Sequence, residues 1–353
     1  MFTQLVATKY RSPPLTSGRI LRLNLLHRLD DALQMGRRLV LVSAPAGYGK
    51  TTLLLQWVAH RREGAHDRQT GAGKIASDPA LPELACAWLT LDAADNNPLQ
   101  FLAYFVASIE FATHLTGAIT SEGLQALDPA VIPSLLPVLA NDIAGTAIPI
   151  AVVLDDYHEI ASQEVHGIVS FLIRYAPAML HFVISSRVDP PLPLAQLRGR
   201  NQMSEIRQQD LRFTSDEARQ LFDKTLAPSL RPGLVELLNE RTEGWVAGLQ
   251  MAAISLQGHR DPDRFVQAFS GSHRHILDYL SEEVFNSQPP TIQTFLMRTS
   301  ILDRLCAALC HALFCDLPEI DDAQAILDKL EQDNLFMVAL DDQRCWYRYH
   351  HLF

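Results

Sequence analysis

The stretch LVLVSAPAGYGKTT, residues 39–52, passes from an apolar segment through a glycine-rich turn into a segment typical of a helix. A phosphate-binding loop needs glycines where backbone N–H groups turn toward the anion, followed by a lysine and a hydroxyl side chain. Two glycines supply the turns here, and Lys50 and Thr51 supply the charge and the hydroxyl. Ala44 replaces the first glycine of the usual pattern, which the loop tolerates when φ is negative there. The stretch therefore predicts a phosphate-binding loop.

The groups expected to contact the phosphates come from the turn and from the start of the helix behind it. That helix would direct the positive end of its dipole at the anion. The expected nucleotide-binding residues of this segment are Ala46, Gly47, Tyr48, Gly49, Lys50, Thr51 and Thr52. Thr51 is also expected to bind Mg²⁺ through its hydroxyl, as in other loops of this kind.

Four short apolar segments alternate with helical patterns along the first 210 residues or so. The third of them is apolar without alternation, as expected for a parallel strand covered on both faces. The four predicted strands lie within RRLVLVSAP, ACAWLTLD, IPIAVVLDDYHEI and LHFVISSRVDPP. Strands that alternate with helices predict an α/β P-loop fold, with a parallel sheet and helices on both faces.

Charged side chains follow two of these strands. Asp155 and Asp156 end the third strand, where a P-loop site needs an acid beside Mg²⁺. Asp155 is expected to bind Mg²⁺ directly or through water, and Asp156 to orient or deprotonate the attacking water. Arg187 follows the fourth strand, and its guanidinium suits contact with a γ-phosphate. A solvent-exposed acid pair and an ion pair between Arg187 and Asp189 are the alternative interpretations.

The composition limits the classes of protein to consider. A formal net charge of −10 argues against broad electrostatic capture of DNA or RNA. The sequence has no run of about 18 uncharged apolar residues, so we predict no membrane span. The amino-terminal MFTQLVATKYRSPP lacks the apolar core of a signal peptide, which predicts a cytoplasmic protein.

The five cysteines form no C-x-x-C pair, and their number is odd. Reduced and mostly buried thiols are the simplest interpretation. The alternative is a metal site formed by Cys306, Cys310, His311 and Cys315. Their spacing suits one face of a helix better than a zinc knuckle.

The pattern changes after about residue 210. TSDEARQLF begins with Thr214 or Ser215 and continues with acidic residues, which is typical of a capped helix start. Helical patterns continue to about residue 335 with a break near Gly244. NLFMVALDDQRCWYRYHHLF then alternates as a β-hairpin does. Earlier in the chain, the polar segment 66–83 is expected to be a surface loop.

These patterns predict three domains. They are an α/β nucleotide-binding domain at residues 1–210, a small helical domain at 211–281 and a winged-helix domain at 282–353. The sequence stops within WYRYHHLF, which lacks the polar tail of a typical terminus. We therefore expect the front part of a longer protein, with the winged-helix domain truncated at its carboxyl-terminal edge.

Six segments in this order resemble the STAND class of signal-transduction ATPases. In particular they are similar to the amino-terminal part of MalT-like regulators of the LuxR family. The segments are APAGYGKTTLLLQW, VVLDDYHEI, ISSRVDPPLPLAQLRGR, DLRFTSDEA, EGWVAGLQMAA and YRYHHLF. The phosphate loop alone is generic, whereas the whole series is specific and extends from about residue 9 to the end of the chain.

The resemblance implies an ATP- and ADP-dependent switch that uses Mg²⁺ and hydrolyses ATP slowly. ADP would hold a closed resting form, whereas ATP and an inducer, either a small molecule or a regulatory protein, would favour an open form that self-associates. In full-length relatives a helical-repeat sensor region and a helix-turn-helix domain follow. Contact with DNA is therefore expected only through a domain outside these residues, and no membrane partner is expected.

The resemblance also assigns roles to single residues. Lys50 and Thr51 match the family's phosphate and Mg²⁺ groups, the acidic pair matches its paired acids, and Arg187 matches its first sensor residue. Arg22 matches an arginine that precedes the first strand and lies close to the nucleotide. Val246 is a departure, because many relatives have a proline there that packs on the adenine. Trp245 is expected to lie in the core.

The final YHHLF is similar to the Met-His-Asp segment of plant immune receptors, whose histidine contacts the β-phosphate of ADP. His350 matches that histidine, and His351 takes the place of the aspartate. A hairpin histidine that faces solvent is the alternative interpretation.

Two other functions remain open. One is a P-loop enzyme of another class, either a motor or a kinase-like phosphotransferase. Arg198 and Arg200 could act as the arginine finger of a ring-forming motor, whereas a kinase would need an arginine-rich lid that is not evident. The other is a scaffold that works without nucleotide.

Overall fold

The computed structural model describes residues 5–15, 19–70, 83–124, 126–175, 177–226, 230–257, 261–314, 322–341 and 343–353. The strands in these ranges are β1 (Leu39–Ser43), β2 (Ala85–Thr90), β3 (Ile150–Asp155), β4 (Leu180–Ser186), β5 (Met203–Arg207), β6 (Met337–Ala339) and β7 (Tyr347–Tyr349). The helices that precede β5 are α1 (Leu23–Gln34), α2 (Lys50–Thr70), α3 (Pro98–Thr113), α4 (Ser121–Leu124), α5 (Ile132–Ala144), α6 (Gln163–Tyr175) and α7 (Leu194–Gly199).

The helices after β5 are α8 (Gln208–Leu211), α9 (Ser215–Thr225), α10 (Pro232–Arg241), α11 (Val246–Leu256), α12 (Pro262–Ala268), α13 (Arg274–Leu280), α14 (Pro290–Thr299), α15 (Ala307–Leu313) and α16 (Ala323–Gln332). A π-helical turn, Ser281–Phe285, continues directly from α13. The prediction of a strand–helix alternation followed by a mainly helical region with a final hairpin is confirmed.

Five parallel strands form the central sheet in the order β2-β3-β4-β1-β5. Strand β4 therefore lies between β1 and β3, and its last residue, Ser186, lies opposite Ser43 at the end of β1. Because parallel strands point the same way, the segments that follow β1, β3 and β4 emerge together at one edge of the sheet.

Helices cover both faces of this sheet, as predicted. Along β1, Val40 and Val42 pack in a cluster with residues of α1 and α2. Leu39 and Leu41 point the other way, into a cluster formed with α3, α5 and α6. All five residues of β1 are buried, which explains why its sequence is apolar without alternation.

Strand β5 and helix α1 are among the elements that were not predicted. Strand β5 forms an edge of the sheet, and its sequence MSEIR is only partly buried. Its polar residues hide the period-2 signal that would mark a strand. Helix α1 begins at Leu23 without a capping side chain, so the start signal that sequence patterns rely on is missing.

The prediction of a surface loop over residues 66–83 is wrong at its start. Helix α2 continues to Thr70, because the polar residues of HDRQT are compatible with a helix and no glycine or proline follows Gly64 before Gly71. The rest of the predicted loop, residues 71–82, lies outside the described residues.

The capped helix predicted after residue 210 is α9. Thr214 is its N-cap, and it forms a reciprocal capping box with Glu217. The predicted break near Gly244 separates α10 from α11. Gly244 has a φ of 69°, which an L side chain adopts only with strain.

Residues from α14 onward form a separate apolar cluster that includes Phe295, Leu327 and Tyr347. Strands β6 and β7 pair in antiparallel fashion, which confirms the predicted hairpin. Leu305 bridges to Tyr347 beside them. Three helices, a hairpin and this bridging segment make up the winged-helix architecture.

Candidate functional site

Most of the predicted site residues, though not Arg22 and His350, lie at the edge of the sheet where β1, β3 and β4 end. The phosphate-binding loop follows β1, the paired acids close β3, and Arg187 follows β4. Because β4 lies between the other two strands, Arg187 stands between the loop and the acids. The structure thus brings three separate sequence motifs to one place.

The loop turns at its two glycines. Gly47 and Gly49 have φ angles of 77° and 79°, in the region that favours glycine. Ala44 is fully buried, has no positive φ, and donates its N–H to the carbonyl of Ser186 (3.3 Å). Position 44 therefore extends the β1–β4 pairing and does not require a glycine.

Lys50 lies inside the loop with only 7% of its surface exposed. Its Nζ donates to the carbonyl oxygens of Ala44 (2.7 Å) and Pro45 (2.9 Å). Burial, together with the charge of Arg187, lowers the pKa of Lys50 to about 8. A buried ammonium of this kind is suited to an anionic ligand, which would supply the countercharge.

Thr51 and Asp155 form the oxygen-rich part of the site. The Thr51 hydroxyl donates to Asp155 Oδ1 (3.1 Å), and Ser185 donates to the same oxygen. Burial, and then the neighbouring Asp156, raise the pKa of Asp155 to about 6. Hydroxyl and carboxylate oxygens are the ligands that Mg²⁺ prefers, so the two side chains fit such an ion.

Asp156 has a left-handed backbone with a φ of 58°, held by a hydrogen bond from its N–H to Ser185 Oγ (3.1 Å). Burial raises the pKa of its carboxyl, although Lys50 and Arg187 oppose this. His158 Nδ1 lies 4.0 Å from Asp156 Oδ1, and burial lowers the pKa of His158 to about 3. A strained non-glycine residue at this place is typical of a functional site.

Arg187 contacts a residue that the sequence analysis did not identify. Its guanidinium donates to the Glu283 carboxylate (2.9 Å) and to the Glu283 carbonyl (3.1 Å). Asn334 donates to the Arg187 carbonyl (2.7 Å) and lies 3.4 Å from Ser43 Oγ. The alternative partner of Arg187, Asp189, instead pairs with Arg207 and Arg198.

The start of α11 is attached to the phosphate-binding loop. Trp245 is fully buried, as expected, and its Nε1 also donates to the Ala46 carbonyl (3.1 Å). The Ala247 N–H donates to the Gly47 carbonyl (3.0 Å). A Cβ built on Gly47 would lie 2.6 Å from Ala247 Cβ, so only glycine permits this approach.

A cavity of ≈ 680 Å³ opens between the loop and the helices after β5. Its apolar wall includes Ile20, Leu53, Phe213 and Leu221. Val246, the residue that departs from the family pattern, lines this cavity together with Ala247. The volume and the mixed lining are typical of a small-molecule site.

Arg22 also lines this cavity, although its guanidinium is engaged within the protein. It pairs with Glu217 (2.8 Å) and donates to the carbonyl oxygens of the residues around Leu211. Thr52 Oγ1 accepts from Arg19 (2.5 Å), and the Tyr48 hydroxyl accepts from Gln208 (2.8 Å). These contacts shape the wall of the cavity.

His350 is buried and faces neither solvent nor this cavity. Its Nε2 donates to the Thr242 carbonyl (3.0 Å), and its Nδ1 accepts from the Leu352 N–H (3.2 Å). Its ring lies edge-on to Trp245. Both ring nitrogens of His350 therefore have protein partners, and the solvent-facing alternative is wrong. The phosphate contact of His350 stays a prediction.

No group of three or more His, Cys, Asp or Glu side chains that could hold a metal ion occurs among the described residues. Cys310 is buried in the winged-helix core, whereas Cys315 lies outside those residues. Within the same part of the chain, no helix is both long and apolar enough to cross a membrane.

Glu283, Asn334 and Ala247 are the site residues that sequence reasoning missed. Each comes from a segment far along the chain, and none belongs to a motif with a required spacing. EGWVAGLQMAA gave the only usable signal, because it was already identified as part of the ordered series of segments.

Comparisons with known proteins agree with this architecture. Residues 281–353 match the family described as the MalT winged helix domain. Over 99% of its length, the chain is 31% identical to the HTH-type transcriptional regulator MalT of Klebsiella pneumoniae subsp. pneumoniae. It is 32% identical to the MalT of Cronobacter sakazakii. The chain spans 36% of the length of each of these relatives.

Among solved structures, a Walker-type ATPase of Pyrococcus abyssi, paby2304, is similar with a TM-score of 0.58. The match covers 96% of both chains at 12% sequence identity. At that identity the likeness concerns the fold alone, which is that of a P-loop ATPase.

Proposed function

We propose that the chain is a nucleotide-dependent switch of a transcriptional regulator, from the premise that nearly its whole length is similar to the MalT regulators and that residues 281–353 match the MalT winged helix domain. The observation that carries the proposal is the position of the phosphate-binding loop. One side of the loop is bonded to α11, and the strand edge beside it contacts the winged-helix domain through Arg187. A ligand in this loop would therefore affect the loop, α11 and the winged-helix domain together.

In this proposal the phosphates of ATP or ADP lie in the loop, where Lys50 and the backbone N–H groups face them. The adenine occupies the ≈ 680 Å³ cavity, with Val246 and Phe213 as apolar walls and Arg22 at its edge. The lining is polar enough at its rim, through Gln250 and Lys224, to suit a ribose.

Thr51 and Asp155 would hold Mg²⁺, and bound Mg²⁺ supplies charge that neutralises the phosphate oxygens. Asp156 would orient the attacking water, and Arg187 would contact the γ-phosphate. Because Glu283 engages Arg187, the arginine would have to leave this partner before it could contact a γ-phosphate. This requirement supports slow hydrolysis that serves a switch.

The remaining features follow from the similarity to the MalT regulators. We propose that an inducer, a small molecule or a regulatory protein, acts with ATP to favour an open form that self-associates. DNA contact would be made by a helix-turn-helix domain outside these residues, and the protein would work in the cytoplasm. ADP would hold the closed form.

A test is to purify the chain without added nucleotide and identify what remains bound. We expect retained ADP, and Lys50→Ala should lose it because the buried ammonium contacts the phosphates. Lys329→Ala, the same change on α16, is the matched control and should retain it. ADP retained by the Lys50→Ala protein would argue for a scaffold that works without nucleotide control.

Turnover distinguishes the switch from a motor. We expect single-turnover hydrolysis to be slower than nucleotide exchange, because Arg187 must first leave Glu283. Fast steady-state hydrolysis without any inducer would contradict the switch. Arg198 gives the motor little support, because it pairs with Glu205 (2.9 Å) within the same chain.

A further inference from the structure

The position of Glu283 suggests a role beyond the switch described above. Glu283 lies on the π-helical turn that begins the MalT winged helix domain. Its carboxylate and its carbonyl both accept from Arg187, so two hydrogen bonds fix the guanidinium. An arginine fork held in this way is not free to bind a phosphate with the same donors.

The phosphate site is close enough for these charges to interact. Arg187 follows β4 directly, between the loop after β1 and the acids after β3. Its charge lowers the pKa of Lys50, and the charge of Glu283 contributes to the raised pKa of Asp156. A third phosphate beyond the two held by the loop would therefore approach the Arg187–Glu283 pair.

A diphosphate and a triphosphate differ in what they require here. A diphosphate is fully served by the loop and Lys50, so it leaves the Arg187–Glu283 pair intact. A triphosphate needs Arg187 for its γ-phosphate and must compete with the Glu283 carboxylate for the same donors. Only the binding of a triphosphate therefore requires the free energy that breaks the Arg187–Glu283 pair.

We propose that Glu283 makes the site prefer ADP over ATP, by holding Arg187 away from the γ-phosphate. Glu283 is thus a positioning residue that determines nucleotide specificity through Arg187, and this inference rests on the proposed nucleotide switch. Asn334 supports the arrangement, since it fixes the backbone of Arg187 from the same winged-helix domain. Separation of that domain from the strand edge would free the arginine.

The test is to measure the affinities of Mg-ADP and Mg-ATPγS for the purified chain by calorimetry. Glu283→Gln should tighten ATPγS by about fivefold, which corresponds to ~1 kcal/mol, and should leave ADP within about twofold. Glu282→Gln is the matched control, since it removes the same charge from the neighbouring exposed residue. It should change neither affinity.

The Arg187→Gln background separates this mechanism from simple charge repulsion. There, adding Glu283→Gln should change the ATPγS affinity by less than about twofold. A full fivefold effect in that background would overturn the role through Arg187, and so would equal tightening of both nucleotides or no change in either. Binding of neither nucleotide by the native chain would instead contradict the proposed switch itself.

Discussion

Among the contacts that join later parts of the chain to the phosphate-binding edge, two are built in opposite ways. At α11, the fully buried Trp245 donates to the Ala46 carbonyl. At the winged-helix domain, Glu283 pairs with Arg187 while their side chains are 46% and 35% exposed. Water can replace the second contact but cannot reach the first, so the first is a permanent attachment and the second is exchangeable.

The contrast between the two contacts requires the α11 contact to contribute strongly to the free energy of unfolding. Trp245→Ala should lower the free energy of unfolding by about 3–5 kcal/mol, because it removes a buried aromatic ring and leaves a cavity. Denaturant unfolding monitored by circular dichroism measures this. Trp346→Ala is the control, since that ring is 44% exposed, and should cost less than about 1 kcal/mol. Similar losses in both variants would contradict the buried attachment.

A second variant tests how closely α11 approaches the loop. Gly47→Ala should cost about 2–4 kcal/mol, since a positive φ strains alanine and the new Cβ would lie against Ala247 and Trp245. Gly36→Ala shares the positive φ (72°) but has no atom within 4 Å, so only the strain should remain. Equal unfolding free energies for the two variants would show that the approach is looser than described.

The pH dependence of the free energy of unfolding distinguishes the buried His350 of the winged-helix domain from the exposed His351. Burial lowers the pKa of His350 to about 4, with Glu243 opposing and Arg212 and Arg348 reinforcing the shift. The unfolded chain, with an ordinary His pKa near 6.5, therefore binds a proton first as the pH falls. Stability from the neutral ring is present above pH ~6.5 and is lost as the pH falls toward 4.

This loss should reach about 2–3 kcal/mol in native protein. Thermal or denaturant unfolding between pH 7 and 4.5 should show a smaller pH dependence for His350→Gln than for the native chain. His351→Gln, where the side chain is 64% exposed, should keep the native dependence. Parallel curves for all three proteins would exclude His350 as the source.

The smallest effect is expected at the exchangeable contact. Glu283→Gln should change the free energy of unfolding by less than about 1 kcal/mol, because half-exposed ion pairs contribute little. In 0.5 M NaCl, where the Debye length is only about 4 Å, the difference from the native chain should be no larger than at low salt. A loss as large as that of Trp245→Ala would contradict the contrast between the two contacts.

The sequence predicted the parts of the fold that depend on local rules. Buried parallel strands have an apolar run, and the capped start at Thr214 and the break at Gly244 follow from backbone chemistry. The edge strand β5 was not predicted because three of its five residues are only partly buried and its sequence is partly polar. The end of α2 was placed too early because polar composition does not by itself end a helix.

The site shows the same division. Lys50, Thr51 and Asp155 belong to motifs whose chemistry fixes the residue types, and the structure brings them together. Glu283 could not be predicted, because its role depends on how the winged-helix domain packs against the sheet. His350 shows the reverse case, since a family pattern assigned it a ligand while the structure gives both ring nitrogens protein partners.

The hydrogen bonds from α11 to the phosphate-binding loop also have a mechanical consequence. They end on the carbonyl oxygens of Ala46 and Gly47, so a rotation of either peptide plane would displace one end of the helix. At 1.5 Å per residue, α11 is about 16 Å long, and a tilt of roughly 5° at Val246 would carry Leu256 through about 1.4 Å. A small change in the phosphate-binding loop would therefore become a larger displacement at the far end of α11.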